Sequence, residues 1–112
     1  MLGKSDCEHV LVSLPVRQRF GDAEAVPCLM TSLALDCATL EQCGARLGES
    51  RYVWLDFVLP DGNERTIRAL GEVATRDAER DVYRVRFKHL FPDHRRRVES
   101  FLRSRVATSV AA

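Results

Sequence analysis

RYVWLDFVLPDGNERTIRALGEVATRDAERDVYRVRFKH, residues 51–89, decides the fold of this 112-residue chain. Three strand-like runs follow one another with short polar breaks. Tyr52 to Leu59 opens the series, and Pro60-Asp61-Gly62-Asn63 ends it as a turn. There Pro presets φ, Asp caps the turn, and Gly or Asn accepts positive φ. The second run, Arg65 to Thr75, alternates: Ile67, Ala69, Gly71 and Val73 against Thr66, Arg68 and Glu72. After the polar break Arg76 to Asp81, Tyr83, Val85 and Phe87 alternate with Arg84, Arg86 and Lys88. Period-two alternation predicts a sheet with one buried and one wet face, here an antiparallel meander within a small barrel or sandwich.

Outward from this stretch the chain stays strand-like. Residues 1–8 are polar and read as a flexible N-terminus. From His9, Val10, Val12, Leu14 and Val16 share one face, with Ser13, Arg17 and Arg19 on the other. Pro15 has no amide hydrogen, which predicts an edge strand or a bulge. Gly21 to Glu24 makes a turn, and a more uniformly apolar strand over Val26 to Leu35 reads as covered on both sides. Asp36 to Cys43 reads as a loop or single turn, followed by a short strand at Gly44 to Leu47. Pro92-Asp93 starts a helix, and Val98, Phe101 and Leu102 recur at helical spacing. That spacing predicts three to four turns laid on the sheet or across the barrel mouth, with Arg95, Arg96, Arg103 and Arg105 on the far side. Val106 to Ala112 reads as a flexible tail.

Composition narrows the function. Hydrophobic residues make up 46% of the chain, enough for one domain with a real core, and the net charge is +1. So balanced a charge gives no strong global attraction to nucleic acid or membrane. No apolar run approaches the roughly 20 residues needed to cross a bilayer, and the first residues lack the apolar segment of a signal peptide. These features predict a cytoplasmic protein. Cys7, Cys28, Cys37 and Cys43 form no CxxC pair, so no metal site is expected and the thiols read as small buried side chains. His9 and His94 adjoin Glu8 and Asp93, but neighbours in sequence do not make a triad. No Gly-flanked Ser elbow, Walker, Rossmann or HExxH pattern occurs. The chain does not read as an enzyme.

The order of elements resembles a PilZ domain, the small six-stranded antiparallel β-barrel with a C-terminal helix found in bacterial cyclic di-GMP signalling. The resemblance runs from about His9 to Arg105. It is carried by Leu40-Glu41-Gln42-Cys43-Gly44-Ala45-Arg46-Leu47, Val53 to Gly62, Gly71-Glu72-Val73, Tyr83-Arg84-Val85-Arg86-Phe87, and the helix after Phe91. In that family an RxxxR motif before the first strand and a D/N-x-S-x-x-G motif between the second and third strands bind the dinucleotide. Guanidinium forks suit phosphates and guanine edges, and the glycine admits close backbone approach.

Neither motif is complete. Residues 1–9 offer only Lys4, while Arg17 and Arg19 stand two apart inside the first strand. With Gly44 as the motif glycine, Thr39 stands at the Asp/Asn position and Glu41 at the Ser position. A carboxylate there repels a dianion at about 4 Å by roughly 1 kcal/mol in water, and by several in a poorer dielectric. The resemblance therefore implies a degenerate member of the family. Such a member is a non-catalytic adaptor in motility or pilus control, acting through a protein partner, with cyclic di-GMP weak or absent and no other cofactor. Tyr52 and Trp54, in phase with Asp56, form one candidate docking surface; Arg95, Arg96 and Arg103 form another. One alternative is a small-barrel nucleic-acid binder using the basic helix. The other is a genuine cyclic di-GMP receptor with Arg17, Arg19 and Arg46 as substitute ligands.

Overall fold

The computed structural model describes residues 9–21, 24–41, 51–77 and 79–111, with side chains described as far as Arg105. Six strands run β1 (Val10–Arg19), β2 (Val26–Leu33), β3 (Cys37–Glu41), β4 (Tyr52–Phe57), β5 (Ile67–Asp77) and β6 (Val82–Leu90), followed by α1 (Pro92–Ala111). They close into a barrel in the order β1-β2-β3-β6-β5-β4, with every pair antiparallel. The fold is mainly β, a closed six-stranded antiparallel barrel with one C-terminal helix, as the sequence predicts.

The alternation places the core. Leu14 and Val16 of β1, Met30 and Leu33 of β2, Ala38 and Leu40 of β3, Val53, Leu55 and Phe57 of β4, Ile67 of β5, and Tyr83 and Val85 of β6 fill the interior. Burying one such side chain contributes about 1.5–3 kcal/mol. Helix residues Val98, Phe101 and Leu102 join the same cluster, so α1 lies across a barrel mouth. Inside, the Tyr83 hydroxyl donates to Gln18 Oε1, and both side chains are fully enclosed. Gln18 continues the inward phase of Leu14 and Val16, so β1 carries a polar group into the core that its hydroxyl partner makes tolerable.

Three expectations need correction. Cys37–Glu41 is not a loop or turn but β3, paired with β2 on one side and β6 on the other. The β2–β3 connection is a two-residue turn at Leu35-Asp36, with the Ala34 amide donating to the Cys37 carbonyl at 2.8 Å. Asp36 is a turn-forming residue, but no Gly, Asn or Pro accompanies it, so the usual two-residue hairpin signature is absent. The strand expected at Gly44 to Leu47 lies outside the described residues. β2 ends at Leu33 and alternates between core-facing and half-buried residues, so it is not covered equally on both sides.

For Pro15 the bulge reading of β1 holds and the edge-strand reading does not, because the closed barrel leaves β1 paired to both β2 and β4. Its missing donor is accommodated because the β4 ladder begins only at Val16, and a register shift falls between Leu11 and Leu14. Finally, α1 spans 20 residues and reaches Ala111, beyond the three to four turns that the apolar spacing marks. Alanine sustains helix without leaving an amphipathic period to read.

The turns fit their chemistry. Gly62 has φ +87°, and Asp61 Oδ1 accepts from the Asn63 amide at 3.0 Å. Asp81, between β5 and β6, sits at φ 57°, a left-handed position that Asp tolerates better than most residues.

Candidate functional site

The interior of the barrel is filled with side chains, so the chemistry available to other molecules lies on its outward faces and on the helix. Three surfaces carry the residues singled out by sequence.

The first runs over β1, β2 and β3. Arg17 is exposed opposite Pro27 and Asp56, and Arg19 lies in register with Trp54. Thr39 and Glu41 are half-buried on β3. The Glu41 carboxylate is held by the Thr31 hydroxyl, which donates to it at 2.8 Å. β2 separates the arginines from Glu41, with Pro27 beside Arg17 and Leu29 beside Glu41. Two strand spacings of about 4.8 Å each, plus an offset along the strands, keep them apart. Arg17 and Arg19 therefore stand two strands away from Thr39 and Glu41. Gly44 and Arg46 lie outside the described residues.

The second surface covers β4, β5 and β6. Tyr52 is 42% exposed and Trp54 is half-buried, both outward as their phase predicts. Across the sheet, Tyr52 faces Glu72, and Glu72 faces Arg86. Glu72 also accepts from Arg51 Nε at 3.2 Å and lies 3.9 Å from Lys88 Nζ. The Arg51 guanidinium sits 5.5 Å from the centre of the Tyr52 ring, a cation–π distance. Arg68 grips Asp56 through two bonds of 2.8 and 3.0 Å, which raises the Arg68 pKa further above its ordinary value. At the border with β3, Arg84 Nη2 lies 3.1 Å from His9 Nε2, and the Cys37 thiol lies 3.8 Å from the same nitrogen. Cys28 is buried as expected, but Cys37 is only half-buried and faces this imidazole.

The third surface is α1. Arg95, Arg96, Arg103 and Arg105 are exposed as predicted. Two of them are partly neutralised along the helix, Arg96 by Asp93 at 3.8 Å and Arg103 by Glu99 at 3.5 Å. Exposed pairs of this kind contribute little to stability, about 0–1 kcal/mol each. Arg97, absent from the sequence-based candidates, turns inward. It donates to the Arg65 carbonyl at 2.8 Å and the Asn63 carbonyl at 3.0 Å, and pairs with Asp61 at 3.3 Å. Position 97 stands four before Phe101, which places it beside the buried stripe; that spacing was the available signal. His94 Nδ1 accepts from the Arg68 amide at 3.2 Å, so His94 is a docking residue of the helix.

Among the described residues no group of three or more His, Cys, Asp or Glu side chains is arranged to hold a metal ion, and no helix is long and apolar enough to cross a membrane. The arrangement defines a class: a closed barrel with a packed interior, with charged side chains on the outward strand faces and the exposed helix side.

No protein-family model matches the chain, and no curated protein matches it. Among solved structures, the chain is similar to the Bacillus subtilis inhibitor of motility, MotI/DgrA. The TM-score is 0.73 at 10% identity, and the match covers 95% of this chain and 53% of that one. The chain thus spans about half the length of that protein. At such low identity the likeness shows the fold alone, a six-stranded barrel closed by a helix.

Proposed function

We propose that this chain is a non-catalytic PilZ-like adaptor working in the cytoplasm, in cyclic di-GMP-linked motility or pilus control. It acts by binding a protein partner, and it binds cyclic di-GMP weakly or not at all. The observation that carries this reading is the Glu41 carboxylate on the outward face of β3, fixed by Thr31 at 2.8 Å. The family motif places a small neutral hydroxyl there, and a fixed carboxylate opposes a ligand with two phosphates. The placement of Arg17 and Arg19 two strands away from this position supports the reading. The structural neighbour's description as an inhibitor of motility supports the choice of pathway class.

Calorimetric titration tests the reading directly. At tens of micromolar protein, cyclic di-GMP gives no saturable heat. A one- or two-site isotherm of submicromolar affinity overturns the adaptor reading in favour of a receptor with substitute arginines.

A further inference from the structure

We infer that the outward face of β4, β5 and β6 is the docking surface, and that its occupant is an extended acidic segment of a partner protein bearing one apolar anchor. The inference rests on the adaptor reading and adds to it the surface and the chemistry of the partner. Three observations carry it. First, the charge is lopsided. Arg68 and Asp56 neutralise one another, leaving Arg51, Arg84, Arg86 and Lys88 with Glu72 as the carboxylate in their midst. Arg86 is exposed and makes no ion pair among the described residues.

Second, the cations are spaced by the strand itself. Arg84 and Arg86 are exposed at alternate positions of β6, about 6.6 Å apart. Lys88 is exposed at the register shift that follows, where His89 pairs with Leu70 and Phe87 with Gly71. An extended peptide repeats its same-face side chains at that interval, so alternating carboxylates meet Arg84 and Arg86 in register, with Lys88 on the same face beside Glu72. Third, the exposed Tyr52 ring with Arg51 above it lies at the end of the Arg86–Glu72 row, where one apolar side chain can settle. Tyr, Trp and Arg are the residue types that concentrate binding energy at protein interfaces. A nucleic-acid strand fits less well. Glu72 stands between Tyr52 and Arg86, so a carboxylate opposes phosphates in the row that carries the exposed tyrosine.

The test uses the full chain and three fluorescein-labelled probes: a 12-residue peptide alternating Glu with Ser around a central Leu, its Lys counterpart, and a 12-nucleotide oligo-dT. Binding is read by anisotropy and mapped by amide chemical shifts. The acidic peptide saturates, shifts the amides of β4–β6, and weakens at least fivefold in R86Q/K88Q and in Y52A. R95Q/R96Q on the helix leaves it unchanged, and thermal melts show that each variant is folded. Equal binding by wild type and R86Q/K88Q, no saturation up to millimolar peptide, or tighter binding of oligo-dT each overturns the proposal. Loss of peptide binding in R95Q/R96Q alone also overturns the surface, yet leaves the adaptor reading standing. Submicromolar cyclic di-GMP affinity with peptide binding intact removes the adaptor reading and spares the surface.

Discussion

Gly71 shows how tightly single residues are constrained. It faces the interior where β5 meets β6, and a Cβ added there would lie 3.0 Å from Val85 Cβ. A Cβ is fixed to its strand and cannot rotate away, so the strands themselves must shift. Overpacking of this kind costs about 1–3 kcal/mol. Gly71→Ala should therefore lower the melting temperature by about 4 °C per kcal/mol lost, measurable by calorimetry. An unchanged midpoint would mean that β5 and β6 separate freely. The Gln18–Tyr83 pair makes a second residue-scale prediction. Tyr83→Phe keeps the ring but withdraws a donor from a buried carbonyl oxygen, at a cost of about 1–3 kcal/mol in a urea melt. The inward direction of Tyr83 follows from its alternation with Arg84, whereas its partner, 65 residues away in sequence, does not.

At the scale of elements, α1 is joined to the barrel by a hydrophobic stripe and a polar clamp. The stripe of Val98, Phe101 and Leu102 was legible because apolar residues at helical spacing must find a core. The clamp is Arg97, whose side chain is only 17% exposed and which holds the carbonyls of Asn63 and Arg65. Arg97→Ala should cost about 1–3 kcal/mol, because backbone acceptors lose charged donors. Arg95→Ala, on the exposed side, should fall within about 0.5 kcal/mol of wild type. Equal effects in paired urea melts would remove the clamp from the account. β3 is the opposite case: its five residues were missed because Leu35-Asp36 turns the chain without the Asn-Gly or Asp-Gly pair that marks a two-residue hairpin. Pairing with β2 and β6 on both sides, rather than local preference, holds those residues extended.

For the whole molecule, closure of the barrel joins segments distant in sequence. β1 pairs with β4, matching Val16 to Phe57, and β3 pairs with β6, matching Leu40 to Tyr83. The closure of such long loops must precede the contacts that reward it, so refolding after denaturant dilution should take milliseconds to seconds. A microsecond relaxation in stopped-flow or temperature-jump experiments would contradict a closed barrel. Closure also leaves no free strand edge among the described strands, which directs recognition to side-chain faces rather than to strand addition.

The sequence by itself determined the strand phases of β4, β5 and β6, the Pro60–Asn63 turn, the core-facing stripe of the helix, and the carboxylate at position 41. These are local properties, in which the spacing of apolar and polar side chains states which face must leave water. Only the tertiary structure decided that β3 is a strand, that Arg97 turns inward while its neighbours do not, and that Arg17 and Arg19 stand apart from Glu41. It also set Tyr52, Glu72 and Arg86 in one row. Each of those facts depends on which strands become neighbours, and neighbour choice is fixed by closing the barrel around a shared core, a condition that no single stretch of chain contains.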